Sequence, residues 1–151
     1  MIGQSAPAFS LPATGNKTLS LAGLAGHSVV LYFYPKDNTP GCTKEGEQFR
    51  DLHEQFAAQG CVVLGVSRDS VRTHENFKTK FGFPFDLLSD PDEQACEAYG
   101  VMKMKNMYGR QVRGIERSTF LIDKKGILRH EWRGVKVPGH AQEVLDTLST
   151  L

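Results

Sequence analysis

The sequence has 151 residues, of which 40% are hydrophobic, a size and composition typical of one well-packed domain rather than two. Its 18 basic and 17 acidic residues give a net charge of +1, without the basic excess expected of a nucleic-acid-binding protein. The longest apolar run, residues 29–34, is far shorter than the ~20 residues that cross a membrane. We therefore expect one domain over residues 1–151, located in the cytoplasm, with neither nucleic acid nor a membrane as a partner.

The N-terminal segment predicts a small β-hairpin. Its two strands, residues 9–11 and 18–20, are joined through Gly15, Asn16 and Lys17, where glycine and asparagine favour a turn. A helical turn is predicted to follow the second strand. We expect this hairpin to lie at the periphery of the domain.

A buried strand followed directly by a helix is predicted next. Residues 29–34 are all β-branched, aliphatic or aromatic, which is typical of a strand covered on both faces. The strand ends at Pro35, and Thr39 with Pro40 then marks a helix start, because a hydroxyl can cap free amides and proline suits the first helical position. Cys42 lies in the first turn of this helix, where unpaired amides and the positive end of the helix dipole favour a thiolate.

The remaining patterns continue the alternation of strands and helices. Strand–helix–strand order implies parallel pairing, which predicts the α/β class and a thioredoxin-like fold, with a central mixed β-sheet flanked by helices. Residues 101–114, rich in methionine and lysine, form a connector to which the pattern assigns no structure. The other predicted elements are a strand at 61–66, a helix near 71–81, a short helix that carries Cys96 and Tyr99, a hairpin of 118–122 with 127–132, and a closing helix with Val144, Leu145 and Leu148.

The loop before Cys42 resembles that of the peroxiredoxins, which reads Pro, three residues, Thr, two residues, Cys. Pro35, Thr39 and Cys42 match this pattern. The resemblance is closest to the branch called bacterioferritin comigratory protein, or peroxiredoxin Q, and it covers nearly the whole chain. It is also carried by the segments IGQSAPAFSLP (2–12), TPGCT (39–43), VSRDS (66–70), LLSD (87–90) and RSTFLID (117–123).

The resemblance implies roles for five residues. Cys42 would be the peroxidatic cysteine, Thr39 would hydrogen-bond the peroxide, and Pro35 would shield the sulfur. The backbone amides of Gly41 and Cys42 would hold the peroxide oxygen, while Arg117 would stabilise the thiolate and polarise the peroxide. Taken without the resemblance, Cys42 could be a small buried hydrophobe, Thr39 only a helix cap and Arg117 a solvated strand arginine.

The implied activity is a thiol-dependent peroxidase that reduces hydrogen peroxide and organic hydroperoxides. The Cys42 thiolate attacks the terminal oxygen, giving a sulfenic acid and water or an alcohol. Family members commonly carry a resolving cysteine at the position of Glu47 or, by our alignment, of Lys78, and neither is a cysteine here. We therefore expect a one-cysteine mechanism with thioredoxin, glutaredoxin or glutathione as the reductant. The branch is often monomeric, which implies a monomer.

Several alternatives stay open at the level of the sequence. Cys61 begins a predicted core strand and is expected to be structural, whereas Cys96, on a helix expected to be semi-exposed, is either a packing residue or an unconventional resolver. A peroxide sensor without turnover is a further possibility. A thioredoxin-type dithiol oxidoreductase lacks its Cys-x-x-Cys motif here. Glu45, one turn beyond Cys42, either pairs with a nearby cation or suits the helix dipole as a first-turn acid.

No metal or other cofactor is predicted. The three cysteines have neither zinc-knuckle nor Cys-x-x-Cys spacing, and the five histidines include no i, i+4 pair. So few cysteines are typical of a reducing compartment rather than of a disulfide scaffold.

Overall fold

Nine β-strands and four α-helices form the framework of the computed structural model, which describes residues 1–151. None of the helices combines the length and the apolar character needed to cross a membrane. In chain order the elements are β1 (Ser10–Ala13), β2 (Lys17–Ser20), a 3₁₀ turn (Ala22–Leu24), β3 (Ser28–Phe33), α1 (Pro40–Ala58), β4 (Cys61–Ser67), α2 (Val71–Phe81), β5 (Asp86–Ser89), α3 (Gln94–Ala98), β6 (Met102–Met107), β7 (Arg110–Ile115), β8 (Ser118–Ile122), β9 (Leu128–Arg133) and α4 (His140–Leu148).

Seven strands form one mixed sheet in the order β2-β1-β5-β4-β3-β8-β9. The pairs β3–β4 and β4–β5 are parallel, because α1 and α2 carry the chain back across the sheet between them. The strands β1, β8 and β9 pair antiparallel with their neighbours. The predicted α/β class with a central mixed sheet is confirmed.

The sheet separates two apolar cores. β3 is buried along its whole length, so its side chains alternate between the two sides. The α1 core lies on the side of α1, α2 and α4 and includes Val30, Tyr32 and Phe49. The α3 core, on the other side, includes Leu31 and Phe33 of β3 with residues of α3 and the N-terminal hairpin.

The N-terminal hairpin is confirmed as β1 and β2, with Ser10 opposite Ser20 and Ala13 opposite Lys17. The unassigned connector forms a second hairpin, β6–β7, whose strands pair only with each other. Most of its side chains are exposed, and its lysines and methionines follow no periodic apolar pattern that would have indicated a strand.

Candidate active site

Cys42 lies in the first turn of α1, as predicted. The helix begins at Pro40, and Thr39 is its N-cap residue with extended backbone angles. The Cys42 side chain is 3% exposed and belongs to the α1 core together with Tyr32 and Tyr34. Amides without intrahelical partners and the helix dipole both favour a negative sulfur at this end of a helix.

Arg117 reaches Cys42 because of the pairing between β3 and β8. Ser118, the first residue of β8, lies opposite Phe33, the last residue of β3, so Arg117 lies beside the turn that leads into α1. The Nη2 atom of Arg117 donates to the Cys42 sulfur at 3.4 Å. This contact between residues 75 positions apart in the chain places a permanent cation beside the thiol.

Glu45 is the second partner of Arg117. The Nη1 atom of Arg117 donates to Glu45 Oε1 at 2.6 Å, which decides between the two alternatives that the sequence left open for this acid. Burial disfavours the charged guanidinium, but Glu45 and Cys42 outweigh burial, so the pKa of Arg117 is raised above its usual range. The two arms of one guanidinium thus contact a sulfur and a carboxylate.

Only one of the two carboxyl oxygens of Glu45 has a hydrogen-bond partner. Its side chain is 1% exposed, and its second oxygen, Oε2, is buried without a hydrogen-bond partner. Burial raises the pKa of Glu45 to about 7, although Arg117 opposes this shift through its charge and its hydrogen bond. Glu45 therefore titrates near neutral pH beside the sulfur.

Gly41 gives Arg117 the room to approach. A Cβ atom built on Gly41 would lie 3.1 Å from Arg117 Nη2, the same nitrogen that donates to Cys42. Any side chain at this position would press on the guanidinium, because contacts of that length are tighter than ordinary van der Waals packing.

Thr39 and Pro35 lie in the loop between β3 and α1, and both are partly buried. Thr39 does occupy the N-cap position, but the expectation that its hydroxyl caps the helix is wrong. The hydroxyl instead donates to the backbone carbonyl of Lys36 at 2.8 Å. The turn folds back closely enough for the Lys36 carbonyl to hold the Thr39 hydroxyl, which makes no hydrogen bond to the helix amides.

The other two cysteines are buried and distant from Cys42. Cys61 begins β4 opposite Ser28, at the far end of β3, and burial raises the pKa of its thiol to about 12. Cys96 was expected to be semi-exposed, but it is 0% exposed in the α3 core, on the other side of the sheet from Cys42. Burial also raises the pKa of Cys96 above its usual range. Neither thiol is placed for attack on sulfur at Cys42.

Ion pairs occupy the two positions at which relatives commonly carry a resolving cysteine. Glu47 lies 3.8 Å from Arg50 in the next turn of α1. Lys78 of α2 donates to Asp86 at 2.9 Å. Both side chains have surface electrostatic roles and no redox chemistry.

A cluster of three polar groups beside the β3–α1 loop, two of them buried, was missed by sequence reasoning. Asp37, Asp69 and His74 bring their side-chain ligand atoms within 4.8 Å of one another. These groups hydrogen-bond one another and their neighbours, and Asp37 and His74 are linked at 2.6 Å. The only signal in the sequence was an aspartate inside the loop that precedes Cys42, since the loop's partners are far away in the chain.

Comparison with known proteins shows which chains this one is similar to. Residues 2–131 match the model of the AhpC/TSA family. The chain is 54% identical to a putative peroxiredoxin bcp of Coxiella burnetii, over 97% of each chain. It is 52% identical to the bacterioferritin comigratory protein of Xanthomonas campestris, whose structure bears on alkyl peroxide reduction, with a TM-score of 0.90 and coverage of 94% of this chain and 90% of the other. The structure of Xylella fastidiosa PrxQ is 47% identical, with a TM-score of 0.94 and coverage of 99% and 96%.

Proposed function

The chain belongs to the AhpC/TSA family, in its Bcp or peroxiredoxin Q branch, and on that premise we propose that it reduces hydroperoxides at Cys42 and is recycled by an external thiol. Membership carries the thioredoxin-like fold and the thiol peroxidase activity. The assignment of residues, the class of peroxide and the source of electrons are our proposal.

The observation that supports Cys42 as the nucleophile is its contact with Arg117. The sulfur lies at a helix N-terminus, 3.4 Å from a guanidinium nitrogen that is itself held by Glu45. A fixed cation there stabilises the thiolate before reaction and the negative charge that moves onto the peroxide during reaction. Neither Cys61 nor Cys96 has a cation in hydrogen-bond contact.

In the proposed step, the Cys42 thiolate attacks the terminal oxygen of a hydroperoxide. A sulfur–oxygen bond forms, the O–O bond breaks, and the leaving oxygen takes a proton to become water or an alcohol. The sulfur is oxidised by two electrons, which the peroxide accepts. Arg117, the Thr39 hydroxyl and the backbone amides of Gly41 and Cys42 would orient the two oxygens for attack, with Pro35 limiting access of water.

We assign organic hydroperoxides as well as hydrogen peroxide to the substrate range. The similar Xanthomonas campestris protein has alkyl peroxide reduction activity. This similarity supports the acceptance of an alkyl group next to the O–O bond.

We propose a one-cysteine cycle in which thioredoxin, glutaredoxin or glutathione supplies the electrons. The first reductant thiol attacks the sulfenic acid, releasing water and forming a mixed disulfide, and a second thiol then displaces Cys42 as a thiolate. The ion-paired Glu47 and Lys78 leave both common resolving positions without sulfur. Cys96 and Cys42 lie in cores on opposite sides of the sheet, so Cys96 could resolve the sulfenic acid only if the fold opened. That alternative is the weaker one. The cytoplasmic location stays a prediction from the sequence.

The test is the intact mass of the reduced protein after one equivalent of hydrogen peroxide, with Cys42→Ser as the matched variant. Gain of one oxygen in the wild type, absent in the variant, is the expected result. Loss of two hydrogens would reveal an internal disulfide and contradict the one-cysteine cycle. Equal inertness of both proteins would contradict the assignment of Cys42.

Turnover separates the enzyme from a sensor. With excess peroxide and each reductant in turn, we expect sustained loss of peroxide with at least one of the three. A single stoichiometric oxidation with every reductant would instead favour a peroxide sensor that works without turnover.

A further inference from the structure

The buried network beneath the loop that precedes Cys42 is centred on Asp37. This side chain is 0% exposed, and its two oxygens have separate partners: Oδ1 accepts from the Tyr34 hydroxyl at 2.5 Å and Oδ2 faces His74 Nδ1 at 2.6 Å. The backbone N–H of Asp37 donates to Asp69 Oδ2 at 2.9 Å. One loop residue is thereby fixed through both its side chain and its backbone.

His74 connects the network to the body of the protein. It lies in α2, is completely buried, and its Nε2 faces the backbone carbonyl of Leu88 at 2.8 Å. A carbonyl oxygen only accepts, so Nε2 must carry a hydrogen. Nδ1 and Asp37 Oδ2 then share one further proton, whichever of the two atoms holds it. The histidine is therefore held at both nitrogens and has no freedom to turn.

Asp69 anchors the same loop from the other side. Its Oδ2 accepts from the Ser67 hydroxyl at 2.5 Å as well as from the Asp37 amide, and its own backbone carbonyl accepts from Ser89 at 2.6 Å. The end of β4 and the end of β5 are thus both tied to one point of the loop.

The loop reaches Thr39 by one further contact. Lys36, next to Asp37, supplies the carbonyl that holds the Thr39 hydroxyl. Asn38, between Asp37 and Thr39, has a left-handed backbone with φ of 61°, a conformation that asparagine adopts more readily than most non-glycine residues. Apart from these ties, the loop makes an exposed contact between Asn38 and Lys80 at 3.3 Å. The position of the Thr39 hydroxyl therefore depends on how firmly Asp37 is held.

We propose that Asp37 and His74 are positioning residues for peroxide reduction: they hold the loop so that Thr39 and Pro35 meet the peroxide at the Cys42 sulfur. The proposal deepens the proposed function and rests on it. The metal-ligating alternative is less well supported, because hydrogen bonds already engage the ligand atoms of all three residues.

The experiment compares two reactions of Cys42 in the same variants. Oxidation by hydrogen peroxide needs the oriented loop, whereas alkylation by iodoacetamide needs only a reachable thiolate. Second-order rate constants for both reactions are measured by rapid quenching and mass spectrometry in the wild type, Asp37→Ala, Asp37→Asn and His74→Gln. Val144→Ala is the control for a core lesion, because Val144 is a buried residue of α4 with no place in the loop network.

We expect Asp37→Ala to lose ~10- to 100-fold in the peroxide rate constant, the scale of small misplacements in an active site. Asp37→Asn should recover most of this loss, since an amide keeps the shape and can bond both Tyr34 and His74. Alkylation should stay within about threefold of the wild type, as expected when only peroxide orientation is lost. Val144→Ala should react like the wild type with both reagents.

An unchanged peroxide rate constant in folded Asp37→Ala would overturn the positioning role. So would a parallel fall of both reactions, which would indicate general loss of structure. Should Asp37→Ala not fold, His74→Gln takes its place: a glutamine lacks the ring that bonds Asp37 and the Leu88 carbonyl at once, so the peroxide rate constant should fall while alkylation stays near the wild-type value. An unchanged peroxide rate constant in folded His74→Gln would overturn the proposal. Failure of wild-type Cys42 to react with peroxide at all would instead contradict the proposed function, so the two failures are distinguishable.

Discussion

The Arg117 guanidinium contacts both the Cys42 thiol and the Glu45 carboxyl, and its planar shape makes the two contacts possible. One nitrogen contacts the Cys42 sulfur and another contacts Glu45, so the planar fork fixes the distance between sulfur and carboxylate. Gly41 keeps the approach open. The sequence predicted Cys42 from its place in the first turn of a helix and Arg117 through family resemblance, but it left the role of Glu45 undecided because the pairing partner lies 72 residues away.

Replacing Arg117 with lysine should lower the peroxide rate constant ~100-fold, the scale seen when a pre-organised donor is lost from an active site. A lysine ammonium keeps the charge but cannot hold Glu45 and the sulfur in one rigid geometry. Stopped-flow or quenched-flow oxidation of Cys42 measures the effect. Arg129→Lys, at an exposed arginine paired with Asp123, is the control. A rate constant close to the wild-type value in Arg117→Lys would mean that charge alone suffices.

Glu45 should make the protein less stable as pH rises from about 4.5 to about 7. Its pKa is raised in the folded state from 4.5 to about 7, so between these values the folded protein binds more protons than the unfolded chain. The free energy of unfolding therefore falls over this interval, by an amount on the order of 3 kcal/mol for a shift of this size. Urea unfolding at pH 5 and pH 7.5 measures the difference.

Glu45→Gln should remove most of that pH dependence, because a glutamine binds no proton. Glu54→Gln, at an exposed acid of the same helix, should leave the dependence as in the wild type. Equal slopes for the wild type and Glu45→Gln would show that other groups cause the pH dependence.

Among the elements, those with a strong apolar pattern were predictable and those without one were not. The strand run at 29–34 and the helix start at Pro40 follow from local residue types, and the structure has β3 and α1 there. The hairpin β6–β7 has exposed side chains on both faces, so neither helical nor strand periodicity marks it. The burial of Cys96 and the bonding of Thr39 depend on what packs against them, which local sequence does not specify.

Shortening β6–β7 should leave stability nearly unchanged. Residues 106–111 can be replaced by Asn-Gly, which joins the paired Lys105 and Val112 by a two-residue turn. The removed side chains are exposed and lie outside both cores, so we expect the melting temperature to stay within about 2 °C of the wild type. Thermal unfolding followed by circular dichroism measures this, and a fall of more than about 5 °C would mean that the tip supports the fold.

At the scale of the whole molecule, exposed apolar surface is confined to small regions. The large exposed hydrophobic side chains lie in β6–β7, at Met104, Met107, Tyr108 and Val112, and at the two chain ends. Stable homodimer interfaces usually bury a larger and more continuous apolar area.

We accordingly predict a monomer in solution. Light scattering should give a mass near 16.7 kDa that does not change with concentration. A doubled mass would contradict this prediction. Loss of the doubling in the shortened-hairpin variant would then identify β6–β7 as the contact.

The placement of the three cysteines affects which disulfides can form under oxidative stress. Cys42 and Cys61 lie at opposite ends of the β3–β4 pair, and Cys96 lies beyond the sheet. An internal disulfide between any two of these sulfurs would therefore require the fold to open. We expect partly unfolded chains, rather than native ones, to be the source of such crosslinks. The stability of the fold would then also limit the oxidation of the chain's own cysteines to disulfides.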